Sequence, residues 1–125
     1  MAEDAQVLSI SVVEIMKLYI ATPINSRMEK RLEDKYLAAK HRVNMLIEVL
    51  ETDEQFAEYS TIESTFDINP LGTYTEEQSL GRCVTAVLES DAIYLDHGWQ
   101  GSKGCNLEYR AAKIYGKTIY EHDNI

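Results

Sequence analysis

Glu108 is the residue whose type and surroundings point most clearly to chemistry in this sequence. It follows Ser102 and Gly104 in a run, residues 90–112, that predicts a short buried strand at 92–95, a glycine-rich loop and a helix. Such a loop before a helix N-terminus is where α/β proteins hold small anions, because free backbone N–H groups and the helix dipole both face it. The run therefore predicts a site for a small anionic molecule beside a carboxylate.

The helical position of Glu108 is unusual for a charged residue. At about 100° per residue, Glu108 falls in the middle of an arc of small and apolar residues, namely Gly104, Cys105, Leu107, Ala111, Ala112, Ile114 and Tyr115. An unpaired ionised carboxylate in a core costs several kcal/mol, so folding alone gives no reason for it. Either Glu108 pairs with a basic group or caps a neighbouring backbone, or it is a catalytic group at the floor of a pocket. The adjacent glycine loop favours the second interpretation.

The composition is that of a single globular domain with an acidic surface. The chain has 125 residues, 45% of them hydrophobic, and a net charge of −9. This charge argues against a nucleic acid polymer or an anionic membrane as the main partner, but it leaves room for a small anion in a local pocket. Residues 1–15 are interpreted as an N-terminal extension, which is non-native, upstream of an alternative start, or an added strand or helix used for assembly, and residues 16–125 as the domain.

Cysteine and histidine usage gives no indication of a metal site. Cys83 and Cys105 each lie on a predicted apolar helix face, and the three histidines are scattered, so we expect free buried thiols, no metal and no cofactor. The sequence also has no apolar run of membrane-spanning length and no basic start of a signal peptide. A cytoplasmic protein is the resulting expectation.

The predicted elements alternate between strands and helices. Strands are expected at 18–21, 61–68, 92–95 and 117–121, with helices at 28–50, from the capping box at Thr75 to residue 89, and at 104–115. This order predicts an α/β fold, a flavodoxin-like or Rossmann-like three-layer sandwich with a four-stranded parallel sheet in the order 2-1-3-4. The loops after strands 1 and 3, residues 22–27 and 96–104, would then meet at one crevice.

Several motifs in this order resemble those of the nucleoside 2-deoxyribosyltransferase-like superfamily. They are Leu18-Tyr19-Ile20-Ala21-Thr22-Pro23, Asn69-Pro70, Ser90-Asp91-Ala92, and Ser102-x-Gly104-x-x-x-Glu108 followed by Ala111-Ala112. The resemblance, which spans residues 16–122, implies a reaction at an N-glycosidic bond with Glu108 as the nucleophile that attacks the anomeric carbon. A carboxylate suits this chemistry because it stabilises oxocarbenium character and can bond to the sugar.

The resemblance also implies roles for other residues. It implies that Tyr19 orients the nucleophile and that Asp91 contacts the sugar, within a substrate-binding set that includes Pro23, Arg27, Ser102 and Gly104. Trp99 joins this set as an aromatic of the loop after strand 3 that could stack on a base. Ser102 and Arg27 would hold a 5′-phosphate, since relatives that hydrolyse deoxynucleoside monophosphates carry serine where base-exchanging transferases carry a carboxylate. Read from the residues alone, Tyr19 is equally a core aromatic, Asp91 a local cap, Arg27 a solvated residue of a first helical turn, and Trp99 either a base-stacking or a subunit-contact aromatic.

Two functions are therefore carried forward. The first is an N-glycosidase or transferase that acts on a nucleoside, a deoxynucleoside or its 5′-monophosphate, with a homodimer or larger homo-oligomer as the expected assembly. The second is a catalytically inactive module that binds a nucleotide or an ADP-ribose-like ligand, favoured by the lack of an obvious second carboxylate unless Asp96 serves. An assembly protein with a vestigial pocket stays a further alternative.

Overall fold

A computed structural model describes residues 16–23, 32–70 and 73–122 of the chain. Its strands are β1 (Met16–Ala21), β2 (Tyr59–Ser64), β3 (Ala92–Leu95) and β4 (Thr118–Glu121). Its helices are α1 (Leu32–Glu51), α2 (Thr65–Ile68), α3 (Glu76–Glu89) and α4 (Lys103–Ile114), with single 3₁₀ turns at Glu54–Phe56 and Trp99–Gly101. The predicted N-terminal extension lies outside the described residues.

The four strands form one parallel sheet in the order β2-β1-β3-β4. The predicted fold class and strand order are confirmed. From β1 the chain continues to β2 on one side of β1 and then crosses to β3 on the other side. The switch point of the sheet therefore lies between β1 and β3. The carboxyl ends of these two strands meet there, with Asp96 N–H donating to the Ala21 carbonyl at 3.0 Å.

Alternate residues of β1 belong to two separate cores. Leu18 and Ile20 pack with α1, whose Tyr36, Val43 and Leu50 recur every seven residues and are buried. Tyr19 and Ala21 face the other way, into a cluster built from β3, α3 and α4. Helices therefore cover both faces of the sheet, as the sequence predicts, and the side chain of Tyr19 points toward α3 and α4.

The second strand differs from its prediction. It was expected at 61–68, but it ends at Ser64, and Thr65–Ile68 turns into the short helix α2. The reason is a capping box: the Ser64 hydroxyl accepts from the Phe66 N–H, and the Asp67 carboxylate accepts from the Ser64 N–H at 2.8 Å. The early end of β2 brings Thr65 to the carboxyl edge of the sheet, beside the end of β1.

Among the described residues, no helix is both long enough and apolar enough to cross a membrane.

Candidate active site

Helix α4 carries the predicted nucleophile into the interior. Its N-cap is Ser102, whose hydroxyl accepts from the Cys105 N–H at 3.2 Å. The helix buries Cys105, Glu108 and Ala112, so the predicted burial of Glu108 is confirmed. The predicted apolar arc is wrong at three residues: Leu107 and Ile114, at its edge, and Tyr115, the C-cap of the helix, are exposed. The helix packs with its smaller side chains inward, which turns these larger ones toward solvent.

The carboxyl group of Glu108 is buried without full hydrogen bonding. Only 4% of the residue is exposed, and its Oε2 atom has no hydrogen-bond partner in the part of the chain that the structure describes. A second buried oxygen, Oδ1 of Asn69, is also unpartnered, while the Nδ2 atom of the same amide donates to the Cys83 sulfur at 2.8 Å. Most buried polar atoms in folded proteins are hydrogen-bonded, so an orphaned carboxylate oxygen indicates a group retained for a purpose other than stability.

Burial sets the protonation of this cluster. Desolvation raises the pKa of Glu108 from 4.5 to about 8, and hydrogen bonding from Tyr19 acts in the opposite direction. Burial first, and the charge of Glu108 second, raise the pKa of Cys83 to about 11 and that of Cys105 to about 12. The same two causes raise the pKa of Tyr19 well above its ordinary value. Near neutral pH both thiols and the phenol are therefore neutral, and Glu108 is largely protonated.

Gly104 leaves space next to the carboxyl group. A Cβ atom at this position would lie 3.4 Å from Leu80 Cδ2, 3.8 Å from Ser102 Oγ and 3.9 Å from Glu108 Oε1. These distances are ordinary van der Waals contacts, so the missing side chain forms a small recess lined by a hydroxyl and a carboxyl group. The structure thus brings Tyr19, Ser102, Gly104 and Glu108 together, as the sequence predicts.

Thr65 connects Tyr19 to the strand ends. Its Oγ1 atom lies 3.0 Å from the Tyr19 hydroxyl, accepts from the Thr22 N–H at 3.3 Å and donates to the Ile20 carbonyl at 3.3 Å. Thr65 was missed in the sequence because its segment was predicted as strand. The Ser64-x-x-Asp67 spacing, a capping-box pattern, is the signal that would have identified a helix start there.

Asp96 is the second buried carboxylate at this edge of the sheet. It is 0% exposed, and its Oδ2 atom accepts from Thr22 Oγ1 at 3.2 Å and pairs with Arg42 Nη1 at 2.8 Å. Its Oδ1 atom accepts from the His97 N–H at 2.8 Å. Arg42 lies on α1 with its side chain 50% exposed, and no sequence pattern singled it out. A continuous series of hydrogen bonds therefore runs from Tyr19 through Thr65, Thr22 and Asp96 to a half-exposed cation.

Asp91 and Trp99 do not join this cluster. Asp91 precedes β3, so it lies at the amino edge of the sheet, where its carboxylate accepts from the Lys17 N–H at 2.8 Å. This is the local backbone cap that the sequence left open, and the position does not support contact with a sugar at the carboxyl edge.

The Trp99 ring lies against Tyr109 with centroids 4.9 Å apart, and its indole N–H donates to Glu121 at 3.3 Å. This aromatic contributes to packing along α4 and β4.

The remaining predicted residues lie near the crevice or outside the described part. Pro23 is the second residue after β1, and its Cγ atom lies 3.8 Å from where a Cβ atom would stand on Gly98, in the loop after β3. The loops after β1 and β3 therefore approach each other, as expected from the strand order. Arg27 falls outside the described residues. In the portion of the chain that the structure covers, no group of three or more His, Cys, Asp or Glu side chains is arranged to hold a metal ion.

Fold and site together define a class: a parallel α/β domain that buries a carboxylic acid beside a glycine recess at a helix N-terminus, next to the switch point of the sheet. The chain belongs to the family described as Domain of unknown function (DUF4406), whose model matches residues 16–121. No curated protein and no solved structure matches the chain.

The protonation of Glu108 predicts how stability changes with pH. A carboxyl group whose pKa rises from 4.5 to about 8 on folding binds its proton more tightly in the folded state. The contribution of Glu108 to the free energy of unfolding is therefore largest below about pH 4.5 and falls as the pH rises toward about 8, by up to about 1.4 kcal/mol per pH unit. Glu108→Gln keeps the shape of the neutral acid and removes this loss.

We expect Glu108→Gln to be more stable than the unmodified protein at about pH 9 by a few kcal/mol, with a difference that shrinks toward about pH 5. Urea unfolding across this range measures it. Glu48→Gln, at an exposed position on α1, is the matched control and should give no such trend. Equal stability of the two proteins at alkaline pH would mean that Glu108 ionises freely in the fold.

Proposed function

We propose that the protein cleaves or transfers the N-glycosidic bond of a nucleoside, a deoxynucleoside or its 5′-monophosphate, with Glu108 as the nucleophile. The observation that carries this proposal is the buried, unpartnered Oε2 atom of Glu108 beside the recess at Gly104. An unpaired acid is costly to bury, so its retention next to a position that lacks a side chain supports a chemical role. The resemblance of the surrounding motifs to 2-deoxyribosyltransferases adds the reaction class.

The proposed reaction has two displacements at the anomeric carbon. The ionised carboxylate of Glu108 attacks C1′, the C1′–N bond breaks, and its electron pair leaves with the base, which takes a proton from water. A water molecule, or a second base in a transfer reaction, then attacks C1′ and releases Glu108 as a carboxylate. Tyr19 donates a hydrogen bond to the carboxylate form and orients it.

A 5′-phosphate would fit the N-terminus of α4. Ser102 Oγ already accepts from the Cys105 N–H, so its own proton is available to donate to a phosphate oxygen. The Gly104 N–H and the helix dipole favour an anion at the same point. Arg27, as the resemblance implies, and Arg42, held at this edge of the sheet by Asp96, would add positive charge. Asp96 uses both oxygens within the fold, so it is an orienting group rather than an acid for the departing base.

A test of this proposal is base release. Purified protein is incubated with ribo- and deoxyribonucleosides and their 5′-monophosphates, and free base is separated by chromatography. We expect release from at least one substrate class, and a loss of about 10³-fold or more in Glu108→Gln, because the amide cannot form the glycosyl bond.

Glu48→Gln serves again as the control and should retain full activity. Base release that persists in Glu108→Gln would refute the assignment of the nucleophile. No release from the unmodified protein, together with nucleotide binding in calorimetry, would select the inactive binding module. That alternative is favoured by the burial of Glu108, because burial raises the pKa of this carboxyl group and thereby favours its poorly nucleophilic acid form at neutral pH.

A second test fills the recess. Gly104→Ala adds a Cβ atom at ordinary contact distances, so the fold accommodates it, and alanine favours the helix by about 1 kcal/mol. The added methyl group would occupy space between Ser102 and Glu108. We therefore expect unchanged or higher thermal stability together with at least a 10-fold loss of nucleotide affinity or turnover, about 1.4 kcal/mol.

Gly81→Ala is the matched control, because Gly81 is also helical and nothing lies within 4 Å of the position of its Cβ atom. This variant should gain the same stability and keep full affinity. If Gly104→Ala binds and reacts like Gly81→Ala, the ligand does not use this recess.

The proposed assembly is a homodimer or larger homo-oligomer. Of the aromatics that suggested it, Trp99 and Tyr109 are partly buried against each other, and Tyr74 is exposed. Stronger support comes from α4, whose outer face exposes Leu107, Ile114 and Tyr115, with Ile114 77% exposed.

Light scattering after size exclusion should give at least twice the monomer mass, and Ile114→Lys should lower the measured mass. Leu37→Lys, at an exposed site on α1, is the control, and a monomeric unmodified protein would contradict the proposal.

A further inference from the structure

The hydroxyl of Thr65 has three neighbours and only one proton. The Ile20 carbonyl can only accept, at 3.3 Å, and the Thr22 N–H can only donate, also at 3.3 Å. The third neighbour, the Tyr19 hydroxyl at 3.0 Å, can do either. A hydroxyl offers one donor and two acceptor sites. All three contacts are satisfied together only when Thr65 donates to Ile20 and accepts from both Thr22 and Tyr19.

This arrangement fixes the direction of the Tyr19 hydrogen bond. If the phenol donates its single proton to Thr65, it has none left for Glu108. Its oxygen can then accept from the acid form of Glu108 or from the Cys83 thiol, but the phenol has no proton to stabilise an ionised carboxylate. The buried carboxyl group, with Oε2 unpartnered, therefore matches the neutral form of Glu108 when Thr65 holds the proton of Tyr19.

We propose that Thr65 is a positioning residue that competes with Glu108 for the proton of the Tyr19 hydroxyl and thereby adds to the effect of burial, which favours the neutral form of Glu108 in the free protein. The proposal concerns the proton of the Tyr19 hydroxyl. It rests on the proposed function only in so far as Glu108 is treated as a nucleophile. When Glu108 ionises, Tyr19 turns its proton to the carboxylate in a charge-assisted hydrogen bond. Thr65 then either turns its own proton from Ile20 to Tyr19 or loses that contact.

The groups around Glu108 do not replace this control. The titratable side chains that the charge of Glu108 affects are Tyr19 from β1, Cys83 from α3 and Cys105 from its own helix, and of these only Tyr19 acts on the pKa of Glu108 in turn. Both thiols are neutral at physiological pH, because burial holds their pKa values near 11 and 12. The ion pair of Arg42 with Asp96 lies at the far end of the hydrogen-bond series. The direction of the Tyr19 hydroxyl is thus the adjustable contact at the carboxyl group.

The test measures the pKa of Glu108 directly, by ¹³C NMR of the side-chain carboxyl carbon, with Glu108→Gln to assign the signal. Thr65→Val removes the competing acceptor, so Tyr19 becomes free to donate to the carboxylate. We expect the pKa of Glu108 to fall by about one unit, the size of one hydrogen bond to a charged group. Thr65→Ser restores the hydroxyl and should restore the value of the unmodified protein. Thr61→Val, on β2, is the control for a loss of a threonine hydroxyl.

A double-mutant cycle separates this role from a structural one. In a Tyr19→Phe background the competition no longer exists, so Thr65→Val should leave the pKa of Glu108 unchanged. The same shift in both backgrounds, or no shift in either, would overturn the proposal. So would an ordinary carboxyl pKa near 4.5 in the unmodified protein, a result that needs no variant to fold. Thr65→Ala replaces Thr65→Val if the valine side chain is not accommodated.

Activity then distinguishes this proposal from the proposed function. If Glu108 is the nucleophile, base release requires its ionised form, and the acidic limb of the pH profile should move down by the same amount in Thr65→Val. A shift in the pKa without any base release would support the role of Thr65 and count against the glycosidase. An unchanged pKa of Glu108 in Thr65→Val, together with base release, would support the glycosidase and count against the role of Thr65.

Discussion

The burial of one carboxyl group is the constraint on which the rest of this structure depends. Glu108 lies where α4 meets the face of β1 that carries Tyr19, with no solvent to hydrate a charge. Folding can retain such a group only by keeping it neutral or by supplying a partner at the moment of ionisation. Two features of the chain meet this need. Small residues on α4 allow close packing of the helix, and a hydroxyl rather than a cation stands next to the acid.

The strand ends supply the polar contacts that the interior lacks. Thr22, Thr65 and Asp96 each follow the carboxyl end of a different strand, and hydrogen bonds join them across the sheet. Thr65 reaches this series only because β2 stops at Ser64 and a capping box turns the chain into α2. A local rule of helix initiation therefore has a consequence at the site, since two more strand residues in β2 would carry Thr65 out of contact with Tyr19.

The sequence predicts the sheet well because strand and helix patterns alternate along it, and one apolar stripe per helix identifies its buried face. Glu108 could be found because an acid on such a stripe contradicts its surroundings. Asp91 and Asp96 lie on either side of the same four-residue strand. Only Asp96 follows the strand, so chain direction in a parallel sheet places it at the carboxyl edge and Asp91 at the amino edge. The resemblance of the motifs carries no such information about direction. Arg42 could not be found, because its contact with Asp96 depends on how α1 packs against the sheet, which no local pattern encodes.

The proposed chemistry places opposite demands on the same group. A nucleophile must be ionised, whereas burial favours the acid, and a bound phosphate nearby would oppose ionisation further. These demands are compatible if Glu108 carries its charge only in the transition state. As the bond to the base lengthens, positive charge develops on the sugar beside Glu108, and the carboxylate is then stabilised by the transition state rather than by the resting protein. A neutral resting acid, an N-terminal helix dipole for the phosphate and a hydroxyl that can reverse its proton are mutually consistent parts of that arrangement.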